Sequence, residues 1–254
     1  MKRFIYVCMI FCIISCNNTP PNSFNLEGYA EGIKDSENLI LYYNSLQNGE
    51  WCEIADTAKI INGKFSFKGI IDELTVAELC FEEPKQVVIS VQLFLEPTKM
   101  KLLIDKNKPY SYQLSGTKVE EESIELRKEL EPYDKIIHED LLHLAEIISQ
   151  IHLNDNNISV RDSLINKHFK TTIEAMFAPS QKISDITRDF VLTHPAYRIV
   201  PGLLSTLRCP IDTIKSIYSI IPEQSKFSLM GKFVYRKIEF EENKKKLLSR
   251  MLCS

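Results

Sequence analysis

The sequence lacks the short motifs that mark the common catalytic and cofactor sites. It contains no G-x-S-x-G, no phosphate-binding P-loop, no G-x-G-x-x-G and no Cys-x-x-Cys pair. Each of these motifs places a nucleophile, a phosphate or a redox pair in a defined turn, so without them no residue stands out as catalytic. We therefore expect a protein that is not an enzyme and that uses no cofactor.

Histidine is also scarce, and the five histidines form no metal motif. His138 and His143 come closest to the zinc motif H-E-x-x-H, in which two histidines four residues apart share one helix face. Their separation of five residues turns the second ring about 140° away from the first. We expect both to be solvated helix residues, with no metal site.

An excess of positive charge and a membrane-spanning apolar run are missing too. The net charge is −3, which argues against a nucleic-acid partner because nucleic acid requires a basic surface. The N-terminal apolar run, residues 4–14, is too short for a bilayer, which needs about 20 residues. With 44% apolar and 26% charged residues the composition is that of a globular protein of one large or two small domains.

The N-terminus is typical of a bacterial lipoprotein. Lys2 and Arg3 precede the apolar run, and the small residue Ser15 comes directly before Cys16. We expect a signal peptide over residues 1–15, cleavage between Ser15 and Cys16, and a lipid on the Cys16 sulfur that anchors the protein to the membrane. An ordinary secretory signal with an incidental cysteine is the alternative.

A polar segment with two prolines, residues 16–23, follows and is expected to be a lipidated tether. No acidic run follows the cysteine, as it does in some surface-displayed lipoproteins. We therefore place the protein in the cell envelope, facing the periplasm from the outer membrane.

Residues 24–116 have an apolar period of two, which predicts strands. Turn residues divide this part into about eight short strands, and Asn62-Gly63 is the strongest hairpin signal because both turn positions need positive φ. We predict an antiparallel β domain, either a sandwich or a small barrel.

Residues 117–254 change to helical periodicity, so the fold class is α+β with an all-helical second part. Thr117 and Glu120 form a T-x-x-E capping box. The apolar stripe that follows keeps its phase through Pro132, which predicts one long helix kinked there. We expect Ser159 to cap the next helix and Pro179 to end it.

Several segments together resemble a known arrangement. They are 24–28 (FNLEG), 54–57 (IADT), 62–69 (NGKFSFKG), 115–117 (SGT) and 189–195 (DFVLTHP). They are similar to an uncharacterised β-rich domain and helical spacer at the N-terminus of many Bacteroidota thioredoxin-like lipoproteins. In that family a thioredoxin-like domain with a Cys-x-x-Cys pair follows, and its redox residues have no counterpart in this chain.

The remaining cysteines define no disulfide framework. An oxidising periplasm permits disulfides, and Cys52 with Cys80 is one pairing that the sequence leaves open. Trp51-Cys52 resembles the opening of a thioredoxin motif, but no second thiol follows, so we expect strand-face packing there. Asp-Ser/Thr-apolar triplets make Thr57, Ser163 and Thr213 candidate O-glycosylation sites, although such triplets also occur as ordinary turns and helix starts.

These features favour a lipid-anchored, non-catalytic binding or interaction module. Its expected partners are the membrane, through the lipid, and a separately encoded periplasmic thioredoxin-like protein. The alternatives are a thiol redox protein that uses Cys209 or Cys253, and a truncated relic of a thioredoxin-like lipoprotein.

Overall fold

The structure, a computed structural model, describes residues 22–34, 37–47, 50–81, 90–154 and 156–252, without the side chains of residues 47, 50 and 248–252. Eight strands come first: β1 Ser23–Glu31, β2 Asn38–Gln47, β3 Glu50–Lys59, β4 Lys64–Ile70, β5 Thr75–Phe81, β6 Ser90–Leu95, β7 Lys99–Asp105 and β8 Gln113–Ser115. Helices follow them, so the predicted α+β class is confirmed.

The strands form two four-stranded sheets. Sheet A has the order β4-β1-β7-β8 and sheet B the order β3-β2-β5-β6. Every pair is antiparallel except β1 with β7, which run parallel. The inner faces of both sheets share one apolar core, in which the rings of Phe24 and Tyr43 meet edge to face with centroids 5.2 Å apart. The β part is therefore a sandwich.

The Asn62-Gly63 turn connects the two sheets. Its φ values of 52° and 72° are positive, as the sequence predicts. The flanking strands, however, are bridged only at Ile61 and Lys64, and then β3 joins sheet B while β4 joins sheet A. The expectation of a paired hairpin is therefore wrong, because β4 pairs with β1 instead.

The second part is helical. Its α-helices are α1 Glu120–Leu153, α2 Ile158–Ser163, α3 Lys170–Ala175, α4 Phe177–Thr193, α5 Val200–Thr206, α6 Ile211–Ile220, α7 Glu223–Phe227 and α8 Leu229–Leu252, with a π-helical segment at Leu164–Phe169. A 3₁₀ turn, Pro109–Ser111, precedes β8. No helix in these described ranges is both long and apolar enough to cross a membrane.

Two proline predictions have different outcomes. Helix α1 runs through Pro132, so the predicted single long helix is confirmed. Pro179, expected to end a helix, lies instead in the first turn of α4. Proline is tolerated there because first-turn N–H groups have no partner within the helix.

The helices pack on the outer face of sheet B. Phe94 and Val76 from this face join a second apolar core with residues of α1, α4, α5, α6 and α8. Gly202 of α5 lies close to the sheet, since a Cβ there would be 2.8 Å from Val76 Cγ2 and 2.9 Å from Phe94 Cε1. The helices thus cover the part of this face around Val76 and Phe94, whereas Thr57 and Gln92 on the same face are exposed. The outward side chains of sheet A are mostly exposed.

Candidate interaction surface and buried polar sites

Cys52 and Cys80 lie on opposite sides of strand β2. Cys52 is opposite Ser45, and Cys80 is opposite Ile40. Two strand spacings across and five residues along place their Cα atoms roughly 19 Å apart, well beyond the limit of about 7 Å for a disulfide. The Cys52–Cys80 pairing is therefore wrong, and both cysteines are free.

Burial favours the protonated form of two of the described thiols, those of Cys80 and Cys209. Burial, followed by the charge of Glu78, raises the pKa of the Cys80 thiol to about 11. Burial also raises the pKa of Cys209, although the cations Lys237 and Arg188 act in the opposite direction. A reactive cysteine needs a lowered pKa, so the surroundings of Cys209 do not favour thiol chemistry. Cys253 lies outside the described residues.

Trp51, next to Cys52, packs against the helical part. Its ring meets Phe233 of α8 with centroids 5.5 Å apart and an interplanar angle of 64°. The predicted strand-face packing is therefore confirmed. The packing partner lies in the last helix of the chain, far from Trp51 in sequence, so the sequence carried no signal that would identify it.

His138 and His143 have different environments. His143 is half-exposed, with Nδ1 3.9 Å from Glu146. His138 is only 5% exposed and its ring meets Tyr110 at a centroid distance of 5.8 Å. Burial lowers the pKa of His138 although the Asn107 backbone and Glu139 favour the proton. The expectation that both rings are solvated is wrong for His138, because the 3₁₀ turn packs on that face of α1. No group of three or more His, Cys, Asp or Glu in the described part of the chain could hold a metal ion.

A polar seam on α1 faces the chain before β8. Glu120, Arg127 and Asp134 are seven residues apart and share one helix face. Arg127 pairs with Glu120, and its guanidinium carbon is 4.2 Å from the ring centre of Tyr112. Burial, followed by the charge of Glu131, raises the pKa of Asp134 to about 6. The seven-residue spacing of these three charged residues is the sequence feature from which a shared helix face could have been predicted.

Glu96, between β6 and β7, joins the strands to the helices. Its carboxylate, 7% exposed, accepts hydrogen bonds from the N–H groups of Lys118 at 2.5 Å and Val119 at 3.3 Å, and pairs with Arg198 at 2.8 Å. It therefore satisfies free N–H groups at the start of α1. The predicted capping box is wrong, because α1 has no side-chain cap from Thr117 and Glu120 instead binds Arg127.

The starts of α2 and α8 are also held by residues that the sequence analysis did not predict. Asn157, not Ser159, caps α2 and accepts a hydrogen bond from Val160 N–H at 3.3 Å. Glu73, just before β5, accepts a hydrogen bond from Leu229 N–H at 2.9 Å and so holds the start of α8. A carboxylate from the strand part thus binds the start of each of the two longest helices.

The outer face of sheet A carries a group of lysines. In the register of sheet A, Asn25 of β1 lies between Lys68 of β4 and Lys99 of β7. Tyr29 of β1 lies between Lys64 of β4 and Leu103 of β7. We call the following set the basic face: Lys64, Lys68, Lys99, Lys101, Tyr29 and Leu103. Within the described residues these four lysines form no ion pair, and Glu27 is the acidic residue among them.

The predicted site residues are not brought together. Ser15 and Cys16 lie outside the described residues. Thr57 is exposed on β3, Ser163 is exposed at the end of α2, and Thr213 is half-buried in the first turn of α6.

The fold defines an α+β protein in which a β-sandwich precedes a helical part. Residues 24–123 match the model of a domain of unknown function, DUF4369. The match ends at Ser123, in the first turn of α1, so it includes both Glu96 and the N–H groups that Glu96 binds. No curated protein and no solved structure matches the chain.

Proposed function

We propose that the protein is a lipid-anchored envelope protein that acts as a non-catalytic binding module. The lipid is on Cys16, and the body faces the periplasm from the outer membrane. The sequence around Cys16 supports this, as does the start of β1 at Ser23, seven residues later. The body thus begins close to the anchor.

The observation that carries the binding role is the open outer face of sheet A. Helices pack on part of the outer face of sheet B. The outer face of sheet A carries exposed apolar and basic side chains on three of its strands, among them Tyr29, Ile70 and Lys101. Exposed faces of this kind mark interaction surfaces. The raised pKa of Cys209 weighs against the rival thiol role.

A separately encoded periplasmic thioredoxin-like protein is the proposed protein partner. Phe240 and Leu247, seven residues apart on α8, are 67% and 61% exposed and share one helix face. They offer a second apolar surface, away from sheet A. Recovery of such a partner by crosslinking from envelope extract, and its loss in Phe240→Ser/Leu247→Ser, would support this part.

The anchor is tested by labelling cells with radioactive palmitate. We expect the wild-type chain to be labelled and to sediment with membranes, and Cys16→Ala to lose both properties. Cys52→Ala is the matched control and should keep both. Labelling that persists in Cys16→Ala would refute the proposal.

The two alternatives have their own tests. For a thiol redox protein, insulin reduction should be measured and should disappear in Cys209→Ser/Cys253→Ser. For a truncated relic, the DNA immediately downstream should encode an in-frame thioredoxin-like segment.

A further inference from the structure

The lysines of the basic face are concentrated at one end of sheet A. Lys68 and Lys99 flank Asn25, and Lys101 and Lys64 are in the next two rows. By strand geometry the four Cα atoms lie within a patch of roughly 10 Å by 13 Å. This is close to one Debye length at physiological salt, so the four charges act together on a surface that approaches them.

The acidic residues of the same face are arranged unequally. Glu27 is among the lysines and accepts a hydrogen bond from Asn25 Nδ2 at 3.0 Å. Glu31 and Asp105 are paired in the register at the far end of β1 and β7. The face is therefore basic at the start of β1 and acidic at its end, in a protein whose net charge is −3.

The basic end is the end that the lipid would hold. Cys16 is seven residues before Ser23, and an extended chain of this length spans at most about 25 Å. Lys68 and Lys99 are in the register two residues into β1. A membrane-bound lipid on Cys16 therefore keeps these lysines within reach of the headgroups.

The rest of the basic face is suited to a bilayer interface. Tyr29 and Leu103 are neighbours across β1 and β7 and are 47% and 51% exposed. Tyrosine favours the boundary between apolar and wet surroundings, and lysine stems lie along apolar material while the ammonium group stays in water. The helices pack on sheet B, on the opposite side of the sandwich.

We propose that the basic face lies on anionic phospholipid headgroups of the membrane that holds the lipid anchor. This contact orients the body so that the helices point away from the membrane and stay accessible to partners. The proposal rests on the proposed lipid anchor. Near an anionic surface each lysine favours the bound orientation by roughly fivefold.

The test is amine acylation of the mature lipidated protein in vesicles, with each lysine quantified by mass spectrometry. We expect Lys64, Lys68, Lys99 and Lys101 to react at least threefold more slowly in vesicles with phosphatidylglycerol than in pure phosphatidylcholine. About 0.5 M NaCl should abolish the difference. Lys182 of α4 and Lys232 of α8, both exposed, should react equally in both.

Charge reversal gives a matched pair of variants. Lys99→Glu/Lys101→Glu should remove the protection of the two remaining lysines, whereas Lys182→Glu/Lys232→Glu should leave it intact. Equal acylation of the basic face in the two vesicle types would overturn the proposal. So would protection in both types alike, since that result indicates a contact other than anionic lipid.

Failure of the anchor is distinguished by flotation. Binding to pure phosphatidylcholine vesicles depends on the lipid alone. If the chain does not float with them, the anchor proposal fails. The same acylation measurement, made on the full chain with excess phosphatidylglycerol vesicles, then still decides whether the basic face contacts anionic lipid.

Discussion

The N–H groups at the start of α1 could be bound by a local residue, Thr117, or by a residue distant in sequence, Glu96, and mutation distinguishes the two. The sequence predicts that Thr117 caps this helix, whereas the structure assigns the role to Glu96, in the turn between β6 and β7. Glu96→Gln keeps the size of the side chain but leaves one acceptor oxygen for two N–H groups and Arg198. Thr117→Val removes a hydroxyl that is buried and has no hydrogen-bond partner among the described residues.

The expected magnitudes differ in a measurable way. A hydrogen bond to a charged acceptor contributes about 1 kcal/mol more than one to a neutral acceptor, and two N–H groups bind Glu96. Loss of the negative charge near a helix start adds about 0.5–1 kcal/mol. We therefore expect Glu96→Gln to lower the free energy of unfolding by about 3 kcal/mol. Thr117→Val should change it by less than about 0.5 kcal/mol, whereas loss of a true cap costs about 1 kcal/mol.

The assay is urea unfolding at pH 7, followed by circular dichroism at 222 nm and by the fluorescence of Trp51. The tryptophan contacts Phe233 and so reports on the packing of strands against helices. Two controls set the scale. Glu73→Gln replaces the charged acceptor of a single helix-start hydrogen bond by a neutral one and should cost about 1 kcal/mol. Arg198→Gln removes a half-exposed partner and should cost less than about 1 kcal/mol. A large effect of Thr117→Val with a small effect of Glu96→Gln would refute the distant cap.

Three further predictions concern buried groups. The pKa of Asp134 is raised in the folded chain, so its ionisation costs stability as pH rises through about 6. Asp134→Asn should therefore be more stable than wild type at pH 8, by up to about 3 kcal/mol, with the gain lost near pH 4, as read from urea midpoints. Gly202→Ala should destabilise by about 1–3 kcal/mol in thermal unfolding, although alanine favours helix, because its Cβ would overlap Phe94 and Val76. Cys80 should resist Ellman's reagent at pH 8, since its thiol is buried with a pKa of about 11, and should react once urea unfolds the chain.

Each of these has a control and a contrary result. The exposed Asp162→Asn should show no such pH-dependent gain, and equal stability of Asp134→Asn and wild type at pH 8 would contradict the buried carboxyl. Ser205→Ala, in the same helix α5, controls for substitution there, and a stabilising Gly202→Ala would show that α5 is not held tightly against sheet B. Labelling of Cys80 within seconds in the native chain would contradict its burial.

Much of the fold could be predicted because its signals are local. Alternating apolar residues place Leu26 and Met100 on inner faces, and a period of two is a property of each strand alone. The positive φ angles of Asn62 and Gly63 follow from the turn chemistry of those two residues. The continuity of α1 through Pro132 follows from the phase of its apolar stripe.

The errors arise where distant residues compete with local ones. Asn62-Gly63 predicts that β3 and β4 pair as a hairpin. Instead β4 pairs with β1, which precedes both β2 and β3 in the chain. His138 looks like a solvated helix residue, yet the 3₁₀ turn covers it. In both cases the local pattern is compatible with two outcomes, and packing selects between them.

The sequence by itself determined the α+β class, the number of strands, the helical character of the second part and the N-terminal pattern that predicts a lipid on Cys16. These depend on residue type and on spacing along the chain. Only the tertiary structure decided which sheet each strand joins, that Glu96 holds the start of α1, and that four lysines share one open face. Those features depend on contacts between residues far apart in the chain, whose energies no local pattern contains.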